Sequence, residues 1–201
     1  MSVCDLDEDV VTLAADAVWK LIERECLNPK EIGRIYLGTE SSVDAAKPTS
    51  TYVLDLLERK LEVNYGPRSL SHCDVVDMTF ACVGAVDAFQ NSLDWVSIKK
   101  DRKAIVVASD VAKYSPSSSG EYTQGAGAVS MLLSKNPRIL ALDSDFAISI
   151  QSTGDFFKPR RTFKKLELLQ EASNILGLEK LTDEVVKRLE SKSDGFWGTP
   201  E

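Results

Sequence analysis

Apolar residues recur along the chain with two different periods, and these periods predict its helices and strands. Spacings of three and four residues are typical of amphipathic helices. They occur in residues 6–26, 48–62, 83–96, 163–178 and 181–192. Short apolar or alternating runs rich in β-branched residues are typical of strands. They occur in residues 34–38, 74–81, 103–110, 128–134, 138–144 and 147–152.

The order of these segments predicts the fold class. Helices separate the first three strands, whereas the last three follow one another closely. Parallel strands need long crossovers, and neighbouring strands joined by short turns are antiparallel. We therefore expect an α/β fold with a mixed, mainly parallel sheet, helices on its faces and antiparallel additions.

Composition and charge narrow the function classes. The chain has 201 residues, of which 43% are hydrophobic, and a net charge of −7. These values favour a globular protein and disfavour nucleic acid or an anionic membrane surface as a partner. No apolar run approaches the roughly 20 residues of a membrane span, and the acidic N-terminus is unlike a secretory signal. We expect a cytoplasmic protein that acts on small molecules or binds proteins.

The cysteines and the single histidine do not form a metal-binding pattern. Cys4, Cys26, Cys73 and Cys82 are scattered without a CxxC pair, and His72 is the only histidine. We therefore expect neither a disulfide nor a bound metal.

Cys82 is the first candidate for chemistry. It stands where the strand of residues 74–81 is expected to pass into a helix, followed by Gly84. The N-terminus of a helix favours an anion such as a thiolate, so Cys82 is a candidate nucleophile. The alternative is a small buried hydrophobic residue, the more common role of a lone cysteine.

Polar residues follow two other predicted strands. Glu40 follows residues 34–38 and Asp110 ends residues 103–110. Because ligands bind at the carboxyl ends of strands in open α/β sheets, these residues and Cys82 are expected to share one crevice. Glu40 suits proton transfer, although a solvated loop glutamate is the simpler interpretation. The basic run 99–103 is more often a solvated turn than a phosphate site.

Four ordered motifs carry a family resemblance. They are GTESSVDAAK, DMTFACVGAVDAFQNSLDWV, ASDVAKYSPSSSGEYTQGAGAV and DFFKPRR. With them the chain resembles the N-terminal half of 3-hydroxy-3-methylglutaryl-CoA (HMG-CoA) synthase of the bacterial type, within the thiolase superfamily. The resemblance implies a thiolase-like domain over residues 1–161, followed by a helical segment and tail over 162–201.

The resemblance implies an activity and roles for residues. The family condenses acetyl-CoA with acetoacetyl-CoA, without a further cofactor, to form HMG-CoA and CoA in the mevalonate route to isoprenoids. By this likeness Cys82 takes the acetyl group, Glu40 is the general acid/base and Asp44 supports the site. Other residues implied in substrate binding or support are Asp110, Tyr114, Thr123 and Asp155. A homodimer of the full-length enzyme is implied as well.

The chain also departs from the family. Val83 replaces a tyrosine that many members carry after the cysteine. The second thiolase half is absent, and with it a histidine that binds the acetoacetyl group, so the chain is expected to be a fragment. Without that half, the helix after Cys82 is expected to expose a large apolar patch.

Two other functions stay open. One is the same chemistry on acyl-carrier-protein substrates, as in β-branching synthases of polyketide pathways. The other is a catalytically incomplete fragment that only binds CoA or a partner chain.

Overall fold

The computed structural model of the chain describes residues 2–80, 82–114, 117, 120–142 and 146–151. They belong to two compact units. The first comprises the chain up to residue 112 together with 124–144. The second comprises 113–123 and 145–201, and its described part includes a short 3-10 helix, Glu121–Thr123.

The first unit is built on a four-stranded sheet. Its elements in chain order are α1 (Val10–Arg24), β1 (Ile32–Gly38), α2 (Thr49–Tyr65), β2 (Asp74–Met78), α3 (Gly84–Ile98), β3 (Lys103–Ala112) and β4 (Gly125–Ser134). The strand order is β2-β1-β3-β4, with β1 parallel to β2 and β3, and β3 antiparallel to β4. The mainly parallel α/β sheet with an antiparallel addition is therefore confirmed.

Helix α1 begins where the sequence has a strong helix-start signal. The Asp9 carboxylate accepts a hydrogen bond from the Thr12 N–H (2.8 Å), and the Thr12 hydroxyl accepts one from the Asp9 N–H (2.8 Å). This reciprocal capping box satisfies two N–H groups that the first turn leaves unpaired. The apolar stripe of α1 then packs with α2 and the sheet in one core, which includes Val18, Leu57 and Ile105.

Helix α3 packs against a second core that includes Tyr36, Val96 and Val106. Near its end, Trp95 packs against Gly33 of β1, and the Arg34 guanidinium lies 4.8 Å from the Trp95 ring centroid. A parallel strand pair requires a helix or other crossover on its faces, and α3 supplies that cover here.

The outer side of α3 is mixed rather than uniformly apolar. Val86 in the first turn is 55% exposed and Ile98 at the end is 73% exposed. The exposed polar residues Asn91 and Asp94 lie between them. The large apolar patch expected on this helix is therefore present only in part, at the end near Cys82 and at the last residue.

The sequence predictions for three strands are wrong. Strand β2 ends at Met78 instead of near Ala81. The predicted strand is too long because the apolar and β-branched run continues past the last residue that pairs with β1. Residues 138–144 and 147–152 form no strand where they are described, and their large apolar side chains, such as Ile139 and Ile148, are exposed. A strand needs a hydrogen-bonded neighbour, which an alternating pattern alone does not reveal.

The predicted helices at 163–178 and 181–192 lie outside the described residues. In the described part of the chain, no helix combines the length and apolarity needed to cross a membrane.

Asp77 joins strand β2 to helix α2. Its carboxylate oxygens accept hydrogen bonds from the backbone N–H groups of Thr49 and Ser50, the latter at 2.9 Å. Pro48 at the N-cap has no side chain that could do this, so the acid comes from a neighbouring strand. The interaction satisfies two N–H groups and places a negative charge at the positive end of the helix.

Replacing Asp77 with Ala is expected to lower the free energy of unfolding by about 1–3 kcal/mol, because two partly buried N–H groups lose their acceptor. The measurement is urea denaturation followed by circular dichroism. Asp55→Ala is the control, since Asp55 forms an exposed ion pair with Arg59 on the same helix. Equal midpoints for the two variants would contradict the capping role.

Candidate active site

Cys82 lies in a tight turn between β2 and α3. The Val83 N–H donates to the Phe80 carbonyl (2.8 Å), which closes a four-residue turn with Cys82 as its third residue. The Gly84 N–H donates to the same carbonyl (3.2 Å), and helix α3 begins there. Cys82 therefore precedes the N-cap Val83 rather than lying in the first turn, and its side chain is exposed.

The start of α3 is in direct backbone contact with the end of β1. A Cβ atom on Gly38 would lie 2.2 Å from the Ala85 nitrogen and 2.6 Å from the Gly84 carbonyl carbon. A Cβ on Gly84 would lie 2.4 Å from the Met78 carbonyl oxygen. Only glycine permits such an approach.

This contact brings two of the predicted site residues to one corner of the sheet. Glu40 stands two residues beyond Gly38, and Cys82 stands two residues before Gly84. A second link is the hydrogen bond from the Thr39 N–H to the Met78 carbonyl (3.2 Å), which joins the ends of β1 and β2. The strand ends that precede Glu40 and Cys82 are therefore adjacent, and a shared crevice for the two side chains stays a prediction.

Asp110 anchors the segment that carries Glu40. One carboxylate oxygen, Oδ1, accepts hydrogen bonds from the Thr39 hydroxyl (2.9 Å), the Glu40 N–H (2.8 Å) and the Ser41 N–H (3.1 Å). Asp110 is thus the third predicted residue at this corner. Its contacts hold the backbone at Glu40, which itself is half-buried.

Asp44 organises the rest of the same loop. Its carboxylate accepts hydrogen bonds from the Tyr52 hydroxyl (2.6 Å) and from the N–H groups of Ala46 (2.8 Å) and Lys47 (3.0 Å). The hydroxyl bond first, and then the two backbone bonds, lower the pKa of the Asp44 carboxyl to about 2. The lowered pKa means that these bonds are retained near pH 4 and lost only as the pH falls towards 2.

The remaining predicted site residues belong to the second unit. Thr123 donates its hydroxyl to the Gly120 carbonyl (2.8 Å), which closes a turn. Tyr114 is half-buried. Asp155 lies outside the described residues.

Other candidates lie at the far end of the sheet. The basic run 99–103 leads into the first residue of β3, about 23 Å along the strand from Asp110. Within it, Lys103 pairs with Glu31 and Arg102 stacks on Trp95, as expected of a surface turn. His72 is exposed in the turn before β2, at the end of that strand opposite to Cys82.

Sequence reasoning missed three residues that build the corner, namely Thr39, Ser41 and Asp77. Small hydroxyl residues in a polar loop look like solvated residues, so nothing in the sequence marks Thr39 or Ser41. A signal existed for Asp77, because an acid inside an apolar strand needs hydrogen-bond donors nearby.

The four cysteines differ in their surroundings. Cys26 and Cys82 are exposed, whereas Cys4 and Cys73 are half-buried. Burial raises the pKa of the Cys73 thiol to about 12, with smaller contributions from the charges of Asp74 and Glu58. An exposed cysteine before a helix start, with a glutamate after the end of the neighbouring strand, is a combination that can perform acyl transfer coupled to proton transfer.

The chain is similar to a family model and to known proteins. Residues 1–137 match the family model of the hydroxymethylglutaryl-coenzyme A synthase N terminal region. The chain is 34% identical over 165 residues to the hydroxymethylglutaryl-CoA synthase of Haloferax volcanii, covering 81% of this chain and 36% of the relative.

Two solved structures show the same fold. The first is MvaS in complex with 3-hydroxy-3-methylglutaryl coenzyme A, with a TM-score of 0.67 and 29% identity over 91% of this chain and 46% of that one. The second is the curacin pathway HMG synthase in complex with holo donor-ACP, with a TM-score of 0.56 and 25% identity over 68% of this chain and 32% of that one. The chain thus spans between about a third and a half of the length of these proteins.

Replacing Gly38 with Ala is expected to destabilise the first unit by about 1–3 kcal/mol, because the new methyl group meets backbone atoms of α3 that cannot rotate away. Urea denaturation measures the loss. Gly127→Ala in β4 is the matched control, because a Cβ there would meet nothing within 4 Å. A Gly38→Ala variant as stable as Gly127→Ala would contradict the close contact.

Iodoacetamide is expected to label the exposed Cys26 and Cys82 well before Cys73 at pH 8, because only the thiolate reacts. With a pKa of about 12, the labelling rate of Cys73 should still rise about tenfold per pH unit from pH 7 to 10. Peptide mapping by mass spectrometry measures each rate, with the urea-unfolded chain as the control. Labelling of native Cys73 as fast as Cys26 would refute the assignment.

Proposed function

The chain belongs to the hydroxymethylglutaryl-CoA synthase family, and from that premise we propose that it carries the acetyl-transfer and proton-transfer centre of an HMG-CoA synthase. Cys82 is the proposed nucleophile and Glu40 the proposed acid/base. Asp110 and Asp44 hold the loop from which Glu40 projects, and Tyr114, Thr123 and Asp155 remain proposed substrate-binding or support residues.

The proposed reaction begins with the Cys82 thiolate. It attacks the carbonyl carbon of acetyl-CoA, the new carbon–sulfur bond forms, and the bond to CoA breaks so that CoA leaves and takes up a proton. Glu40 then removes a proton from the acetyl methyl group, and the resulting enolate carbon attacks the ketone carbon of acetoacetyl-CoA. Protonation of the new alkoxide and hydrolysis of the Cys82 thioester by water release HMG-CoA and the free thiol.

One observation carries this proposal, namely the backbone contact of Gly38 with Gly84 and Ala85. It supports the pairing of an acid with a nucleophile because it fixes the two chain segments that bear Glu40 and Cys82 at one corner of the sheet. Catalysis of this kind requires both groups near one substrate atom, which a solvated glutamate and a buried structural cysteine would not provide.

Acyl-CoA is the substrate class that the observations favour. The similarity to MvaS bound to HMG-CoA is higher than that to the HMG synthase bound to donor-ACP, with TM-scores of 0.67 and 0.56. The net charge of −7 also disfavours docking of an acidic carrier protein. The carrier-protein reaction is the second candidate, supported by the latter similarity.

The setting of the reaction is part of the proposal. We place the activity in the cytoplasm and in the mevalonate route, and the full-length assembly as a homodimer. Residues outside this chain, which spans 36% of the Haloferax volcanii relative, would bind the acetoacetyl group.

The test is brief incubation of the chain with acetyl-CoA, followed by intact mass spectrometry and peptide mapping. One acetyl group on Cys82 is expected, and none in Cys82→Ser. Cys26 is an internal control, because it is also exposed but lies at the end of α1. Acetyl carrier protein is compared with acetyl-CoA as the donor.

The outcomes separate the candidates. Acetylation of Cys82 from acetyl-CoA alone supports the proposed function, and faster acetylation from the carrier protein supports the second candidate. No adduct, or equal acetylation of Cys82 and Cys26, would overturn the proposal and leave a fragment that binds CoA or a partner chain without turnover.

A further inference from the structure

The segment Thr39–Ser41 is attached to strand β3 by side chains where backbone pairing stops. The parallel pairing of β1 with β3 ends at Gly38 and Ala108. Beyond that pair, the Asp110 carboxylate accepts three hydrogen bonds from residues 39–41. Side chains thus continue the connection that the strand backbones make up to Gly38.

Ser41 returns a hydrogen bond in the opposite direction. Its hydroxyl oxygen accepts the Val111 N–H (3.1 Å), while its own N–H points to the Thr39 hydroxyl oxygen (3.0 Å) and to Asp110. Thr39 is fully buried. We call the set of Thr39, Ser41 and Asp110 the loop clamp, because it holds the backbone on both sides of Glu40.

The loop clamp is anchored to rigid parts of the sheet. Asp110 and Val111 pair with Gly127 and Ala126 of β4. Strand β4 therefore holds the part of β3 that carries the Asp110 carboxylate and the Val111 N–H. Thr39 is also tied to β2 through the Met78 carbonyl. The backbone at Glu40 is therefore held between two strands, although Glu40 itself lies beyond the last paired residue of β1.

We propose that Thr39 and Ser41 are positioning residues for Glu40 in the proton-transfer step, an inference that rests on the proposed function. They do not touch the reacting atoms. They fix the backbone from which the Glu40 carboxylate reaches the acetyl methyl group. Misplacement of a catalytic group by about 1 Å can lower a rate by about a hundredfold.

The proton-transfer step can be observed separately from acetyl transfer. In D₂O the Glu40 carboxylate takes a proton from the methyl group of acetyl-Cys82, and the C–H electron pair forms the enolate. The carboxyl group exchanges that proton with solvent and returns a deuteron to the same carbon. The thioester bonds are unchanged, so deuterium in the acetyl group reports on Glu40, whereas acetylation reports on Cys82.

The experiment compares Ser41→Ala, Thr39→Val and Thr39→Ser with the wild-type chain in D₂O containing acetyl-CoA. Mass spectrometry of the Cys82 peptide measures both acetylation and deuterium content. The control variant is Ser42→Ala, because the neighbouring Ser42 hydroxyl contacts Asp44 and Thr49 and not the loop clamp. Urea midpoints are measured for each variant.

We expect Ser41→Ala and Thr39→Val to lower the exchange rate about 10- to 100-fold while acetylation changes less than about twofold. Thr39→Ser, which keeps the hydroxyl group, and Ser42→Ala should exchange at close to the wild-type rate. This split between the two rates is not expected of residues that only stabilise the fold.

Four results would overturn the inference. Wild-type exchange in Ser41→Ala and Thr39→Val would remove the positioning role and leave the proposed function intact. Parallel loss of acetylation, exchange and the urea midpoint would make the loop clamp a folding element. Absence of acetylation in the wild-type chain would instead refute the proposed function, and acetylation without exchange would refute the role of Glu40, together with its positioning residues.

Discussion

The seating of α3 on β1 is the constraint on which the first unit depends. The two elements meet at two places: the backbones of Gly38 and Ala85 are in direct contact, and the Trp95 side chain packs on Gly33. The helix segment from Ala85 to Trp95 spans about 15 Å, and the strand segment from Gly33 to Gly38 spans about 16.5 Å. Because these lengths match, α3 runs back along β1 with both of its ends seated on the strand.

This seating explains how an open loop and a turn can form a defined site. The turn at Cys82 cannot move away from β1, because α3 begins two residues later in contact with Gly38. The loop at Glu40 is held by Asp110 on one side and by the Met78 carbonyl on the other. Asp44 then connects this loop to Tyr52 of α2, and Asp77 of β2 holds the first residues of the same helix.

The sequence predicts those helices and strands whose apolar pattern follows from the burial of the element itself. Helix α1 has a capping box and one apolar stripe, and strands β1 and β3 are short buried runs, so their existence and order were predicted correctly. The end of β2 and the last two strands depend on which residues pair, and no local pattern encodes pairing. The same limit applies to the site. Glu40, Cys82 and Asp110 were recognised at strand ends, but the contacts of Ser41 join residues 70 positions apart in the chain.

The atoms that crowd Gly38 and Gly84 also restrict how this sequence can diverge. In both cases a new Cβ would meet backbone atoms, of Ala85 and Gly84 at position 38 and of Met78 at position 84. A smaller side chain elsewhere can make room for an enlarged side chain, but no substitution makes a backbone smaller. The two glycines therefore admit no compensating mutation, and a lineage that replaces either one has to move the helix start, and Cys82 with it.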